Sequence, residues 1–165
     1  MKNFFGQLHS LAAKMIFVFL CLTMLPFAGS STATAEEILL VANNAAKAVL
    51  TPKEAVNPSW KAETGFDDSS WRPCIGRPGG VGYEAGSGYE NLITLDVRDD
   101  MYQDGDNPTT SCYVRIKFSA SSENLTTFSS LVLTMMYDDG FVAYINGHKV
   151  AEENAPPSPD WNSSA

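Results

Sequence analysis

Histidine is almost missing from this chain of 165 residues; His9 and His148 are the two present. His148 sits just past Asn146-Gly147, and nothing in the sequence sets a nucleophile and an acid around it as a hydrolytic triad requires. Cysteine is equally sparse. Cys21, Cys74 and Cys112 show no metal-ligand spacing. Positive charge is short too: 11 Lys and Arg stand against 19 Asp and Glu, a formal net charge of −8. An acidic surface argues against nucleic acid and against anionic membrane as partners. The glycine-rich stretch from Gly76 to Gly82 lacks the lysine and the strand–loop–helix setting of a phosphate loop. Long helical periodicity, internal repeats and low-complexity tracts are absent as well.

Long apolar runs are also lacking. The longest, Met15 to Ala28, is broken by Pro26 and is shorter than the roughly 20 residues of a spanning helix. Lys2 and Lys14 precede it and Ala33-Thr34-Ala35 follows. A basic start, a short apolar core and an A-x-A site form the pattern of a secretory signal peptide, with cleavage after Ala35. Cys21 lies inside the apolar core without small residues just before it, so it does not read as a lipid-attachment site. Residues 1–35 carry Lys2 and Lys14 and no acid, so the mature charge is −8 − 2 = −10. The expected organisation is a leader over 1–35 and one domain over 36–165, secreted or at the cell surface, with no membrane attachment after cleavage. Cys74 and Cys112 remain in that domain. In an exported protein an even pair permits one disulfide; two unpaired, partly buried thiols are the alternative, and the sequence leaves both open.

What is present reads as β-structure. Tyr137 to Val150 runs strand, turn, strand, turn, strand, with Asp139-Gly140 and Asn146-Gly147 as dipeptides suited to tight hairpins. Cys112 to Phe118 alternates: Cys112, Val114, Ile116 and Phe118 fall on one face, expected in the core. Tyr113, Arg115 and Lys117 fall on the other, expected wet. Ile38–Ala42, Ala46–Leu50 and Leu92–Val97 are further strand candidates, a helix over Ala42–Leu50 being the competitor for the second. Asp67-Asp68-Ser69-Ser70-Trp71 reads as a tight turn that sends Trp71 inward. Arg98–Thr110 and Ser119–Ser130 read as polar connections. Short strands between turn signals predict an all-β, antiparallel two-sheet sandwich.

Taken in order, Trp60, Gly65-Phe66-Asp67-Asp68-Ser69-Ser70-Trp71, Gly80-Val81-Gly82-Tyr83-Glu84, Cys112–Phe118, Tyr137–Gly147 and Trp161-Asn162-Ser163-Ser164-Ala165 form a series. It resembles the galactose-binding-like jelly-roll module of large secreted bacterial proteins, where the module accompanies lamin-tail, spore-coat-kinase-like or metallophosphoesterase domains. The resemblance covers nearly all of 36–165. It implies a jelly roll whose last strands lie beyond the Trp-Asn-Ser-Ser-Ala point, one of them in the middle of a sheet. The expectation is therefore an incomplete sandwich, marginally stable by itself and open to strand addition. The resemblance brings no catalytic residues.

Candidate site residues are few. Asp138-Asp139 could be a glycosidase carboxylate pair, but adjacent acids before a glycine are better explained by turn chemistry. Asp99, Asp100, Asp104 and Asp106 could supply oxygens to a structural calcium, as sandwiches of this kind often hold one, although Thr110 stands where an EF-hand loop needs its glutamate; a solvated acidic loop is the plainer reading. Trp60, Trp71, Tyr83, Tyr89 and Tyr102 are candidate sugar platforms, of which Trp60 and Trp71 are rather expected in the core. Tyr89 and Tyr102, in polar loops, are the expected sugar-contacting aromatics. Asn124-Leu125-Thr126 and Asn162-Ser163-Ser164 match the glycosylation sequon, which matters only in a host that glycosylates. No catalytic residue and no cofactor other than calcium is expected. The expected function is a non-catalytic accessory module that binds carbohydrate or surface polymer, or packs on neighbouring domains of a longer protein. A ligand-free spacer and the N-terminal part of a secreted hydrolase are the alternatives.

Overall fold

A computed structural model describes residues 2–11, 15–23, 37–102 and 109–164, the first two ranges through their backbone course. Eleven strands among these residues build two sheets: β1 Lys2–Leu11, β2 Met15–Thr23, β3 Ile38–Val41, β4 Lys47–Leu50, β5 Arg72–Cys74, β6 Gly80–Gly82, β7 Ile93–Asp96, β8 Ser111–Ala120, β9 Ser130–Tyr137, β10 Gly140–Ile145 and β11 His148–Glu153. One sheet has the order β11-β10-β1-β8-β4-β5. The other has β3-β2-β6-β7, with β9 also paired to β2. All pairings are antiparallel except β6 with β7. Two short helices, α1 Arg98–Met101 and α2 Ser122–Thr127, interrupt the stretches expected as plain loops. The protein is all-β in class, and β4 settles the Ala46–Leu50 ambiguity in favour of strand.

Both sheets contribute to one apolar cluster. Cys112, Val114 and Ile116 of β8, Val49 of β4, Cys74 of β5 and Phe141 and Ala143 of β10 come from the first sheet, and Val41 and Val81 from the second. The alternation of β8 thus places its inner face as expected. Its other face is not wet, however. Tyr113 and Arg115 are 4% and 1% exposed, because the segment from Pro58 to Trp71 lies across them as a strap. Trp60, in a 3-10 turn, stacks on Tyr113 at 4.4 Å and 15°. Trp71 lies 5.8 Å from Trp60, and Phe66 meets Trp71 edge-on at 5.9 Å. Trp60 and Trp71 are core residues, of this second cluster rather than the first.

Arg115 ties the strap down. Its Nη1 donates to Asp68 Oδ2 at 2.7 Å and to Phe66 O at 3.2 Å, and its Nη2 donates to Glu63 O at 3.1 Å. Lys117 Nζ donates to the other oxygen of Asp68 at 2.7 Å. The Asp-Asp-Ser-Ser turn forms as expected: Ser69 N donates to Asp67 Oδ1, and Trp71 N to Asp68 O, each at 3.0 Å. An alternating Tyr-Arg-Lys face looks solvent-facing because Arg and Lys usually are. Here a fixed carboxylate and two backbone carbonyls take both terminal nitrogens of the guanidinium, which lowers the cost of its burial.

A second correction concerns Asp139-Gly140. Only Asn146-Gly147 makes a hairpin, joining β10 to β11 with Ile145 opposite His148. At Asp139-Gly140 the chain leaves β9 in one sheet and enters β10 in the other. Asp139 has φ 72°, the left-handed value that a sharp bend needs whether or not the flanking strands pair. Tyr137 and Phe141 pack edge-on across the bend at 4.7 Å.

Much of the expected leader lies within the sheets. β1 runs between β8 and β10, with Lys2 opposite Ala120 and Leu11 opposite both Ser111 and Gly140. β2 joins β9 to β3 and β6. Ala33-Thr34-Ala35 is outside the described residues. Among the described residues no helix is long and apolar enough to cross a membrane.

Candidate ligand-binding site

The expected site residues gather where β7 turns into α1. Val97 is 1% exposed, and its N–H donates to Gly82 O at 3.1 Å, fastening the turn to β6. Met101 is buried as well. With these two held inward, the polar residues between them, Arg98, Asp99 and Asp100, are carried outward. Asp96 Oδ1 accepts from Arg98 N at 2.8 Å and shapes the turn. Arg72, at the start of β5, pairs through Nη1 with the Asp100 carboxylate and donates from Nη2 to Asp96 O at 2.9 Å. Arg72, Asp96, Arg98, Asp99 and Asp100 line an open polar cavity of about 510 Å³.

Tyr102 follows α1 directly. Its ring is 37% exposed, stacks on Tyr83 at 6.0 Å and 24°, and carries the Arg98 guanidinium 5.5 Å from its centroid. An aromatic face backed by a second ring, with a guanidinium and carboxylates beside it, offers apolar area to one side of a sugar ring and hydrogen-bonding groups to its hydroxyls.

Of the two tyrosines singled out from sequence, Tyr102 belongs to this ledge, and the ring it stacks on is Tyr83 rather than Tyr89. Tyr89 is exposed at the head of a 3-10 turn over Glu90–Leu92. Of the four acids proposed for calcium, Asp99 and Asp100 line the cavity, and Asp100 is already engaged by Arg72. Asp104 and Asp106 lie outside the described residues. Among the described residues no three His, Cys, Asp or Glu converge as a metal set. Tyr83 was among the aromatic platforms offered by the sequence, whereas the contributions of Arg72 and Arg98 were not foreseen and had no local signal.

Cys74 and Cys112 are free thiols, both buried in the central cluster. β5 and β8 are separated by β4, so their backbones stand two strand spacings, about 9.6 Å, apart. That exceeds the roughly 7 Å Cα limit for a disulfide, and the possible bond is replaced by the alternative of two thiols. Burial pushes the Cys112 thiol up to about 12, and burial raises Cys74 as well. Cys74 Sγ faces the carbonyls of Gly79 and Gly80 at 3.9 and 3.8 Å.

The other candidates have structural partners. Asp139 O accepts from Asn154 Nδ2 at 2.9 Å at the inter-sheet bend. His148 closes the β10–β11 hairpin on the exposed side. Asn162 Oδ1 accepts from Thr110 N at 3.1 Å, and Ser163 O accepts from Ser111 Oγ at 3.0 Å, so the Trp-Asn-Ser-Ser segment closes against the start of β8. A second cavity of about 250 Å³ is apolar, with Leu40, Phe118, Leu125, Phe128 and Leu131 in its wall. Compared with protein-family models, curated proteins and solved structures, the chain matches none.

Proposed function

We propose that this chain is an exported, non-catalytic accessory module with a jelly-roll sandwich of galactose-binding-like type, and that it attaches to carbohydrate or to a surface polymer. The observation that carries the reading is the Tyr102 ledge: an exposed ring stacked on Tyr83, capped by Arg98, beside a cavity walled by Arg72, Asp96, Asp99 and Asp100. Two sheets sharing one core, with an inter-sheet bend at Asp139, support the sandwich. The leader pattern of residues 1–35 supports export, and a net charge of −8 − 2 = −10 after its removal suits an uncharged polyhydroxyl ligand better than a polyanion.

The test is retention of the protein on insoluble polysaccharides and on a glycan array, with Tyr102→Ala and Arg98→Ala in parallel. A stacking contact of about 0.5–1.5 kcal/mol with the ligand predicts roughly two- to tenfold weaker retention for Tyr102→Ala, beyond the modest loss of stability expected from its stack on Tyr83. Equal retention of wild type and Tyr102→Ala would defeat the ledge. No retention of wild type on any glycan would favour a ligand-free spacer.

A further inference from the structure

We propose that the cleft between the strap and the C-terminal segment is a second ligand site, and that it takes a small carboxylate built on a single ring, with the ring against Trp60, Tyr113 and Trp161 and the carboxylate on Lys61. This cleft shares no residue with the cavity beside Tyr102.

The cleft has a volume of about 150 Å³, and a cavity of that size holds one six-membered ring. Val56, Pro58 and Trp60 form its near wall, Tyr113 of β8 its floor, and Pro159 and Trp161 its far wall. Both walls are preformed. Asn57 Oδ1 accepts from Ser59 N at 3.0 Å and Pro58 follows it, which starts the 3-10 turn and brings Trp60 inward. Opposite, Thr110 N donates to Asn162 Oδ1 at 3.1 Å and Thr110 Oγ1 to Asn162 O at 2.9 Å. These bonds hold Trp161 against the cluster of Trp60, Trp71 and Tyr113.

Lys61, which also lines the cleft, supplies the charge. Its Nζ lies 5.7 Å from the centre of the Trp60 ring and 4.8 Å from that of Tyr144 in β10, where aromatic faces favour a cation. The chain beside it is fixed: a Cβ on Gly147, in the β10–β11 turn, would stand 2.7 Å from Ala62 Cβ, so strap and turn are already in close contact. The ion pairs among the described residues are Arg72–Asp100, Asp68 with Arg115 and Lys117, and Lys149–Glu152. Lys61 enters none of them and donates no hydrogen bond to a described residue. It is half-buried, and burial lowers its ammonium from the ordinary value. Ring faces give a desolvated ammonium no acceptor for its three N–H donors, and a carboxylate oxygen does.

The rest of the lining narrows the ligand class. The one acid of the cleft, Asp160, is engaged in the turn that closes the C-terminal segment: its Oδ1 accepts from Asn162 N at 3.0 Å and from Ser163 Oγ at 3.1 Å. It makes no ion pair with Lys61, and its charge disfavours a second anionic group on the ligand. The walls that the ring would meet are aromatic or apolar, which suits a body with few hydroxyls better than a sugar. A monocarboxylate on an otherwise uncharged ring meets all three conditions.

The test uses the full chain with benzoate, benzyl alcohol and acetate as probes, followed by nuclear magnetic resonance through the indole N–H signals of Trp60 and Trp161. Benzoate is expected to bind saturably in the millimolar range, as suits so small a ligand, and to move both signals. Benzyl alcohol keeps the ring without the charge, and acetate keeps the charge without the ring. Each is expected to bind about tenfold more weakly or worse. Lys61→Met keeps the side-chain stem and removes the ammonium, so it should weaken benzoate about tenfold and leave benzyl alcohol unchanged, while Lys61→Arg should restore benzoate. The comparison of probes on the wild-type chain stands even where a variant fails to fold. Absence of saturable benzoate binding, equal binding of benzoate and either control, binding that moves neither indole signal, or full benzoate affinity in a folded Lys61→Met chain would overturn the proposal.

Discussion

Replacing Asp68 with alanine should be among the most damaging single changes in the molecule. Arg115 lies with no exposed side-chain surface, and Asp68 is 12% exposed. Burial lowers the guanidinium from its ordinary value and Asp68 works in the opposite direction. Removing one member of such a buried pair leaves a charge without a counterion and costs about 3–5 kcal/mol. For a domain stable by about 5–15 kcal/mol that is a large share. Asp68→Asn keeps an acceptor and loses the charge, so about 1.5–3 kcal/mol is expected. Lys117, 54% exposed on the same carboxylate, should contribute no more than about 1 kcal/mol. The double variant Asp68→Ala/Arg115→Met removes the stranded charge together with its partner. It should cost clearly less than the two single losses added. Urea unfolding of the four proteins of the cycle, read by tryptophan fluorescence through Trp60 and Trp71, gives the coupling directly. An Asp68→Ala loss within about 0.5 kcal/mol of zero, or strict additivity, would refute the claim that Arg115 anchors the strap.

Three further outcomes are expected. Gly79 has φ +103° and a Cβ there would stand 2.1 Å from Asn43 O, so Gly79→Ala should cost about 2 kcal/mol or more, measured by the shift in unfolding midpoint. Cys74 and Cys112 should fail to react with a chromogenic disulfide at pH 8 in the folded domain and both react in denaturant; one disulfide per chain by mass would contradict this. Burial lifts Cys112 from 9.0 to about 12 and Tyr113 from 10.0 to about 12. The folded state thus keeps protons that the unfolded state releases, so stability is full below about pH 9 and falls between 9 and 12. An unfolding midpoint as high at pH 11 as at pH 8 would refute it.

The strand content was legible where alternation was strict. Cys112–Phe118 showed its inner face, because cysteine, valine, isoleucine and phenylalanine at period two have few other uses. The outer face was misread because the groups that bury Arg115 lie about fifty residues away in the strap, and local pattern carries no trace of a long-range counterion. Asp139-Gly140 was misread because positive φ marks a bend without saying whether the strands on either side pair. The choice between a disulfide and two thiols stayed open in the sequence, since strand order decides the distance between Cys74 and Cys112. At the site, the acidic turn and Tyr102 stood out in a polar loop. Tyr83, Arg72 and Arg98 come from three different places in the chain and meet only through the contacts of β5, β6 and β7.

Export rests on residues 1–35, so the intact mass of the protein recovered from outside a producing cell tests the account most directly. It should correspond to a chain beginning at Glu36, with β1 and β2 gone. A mass that retains Lys2–Thr23 would contradict it and make those strands permanent parts of the fold.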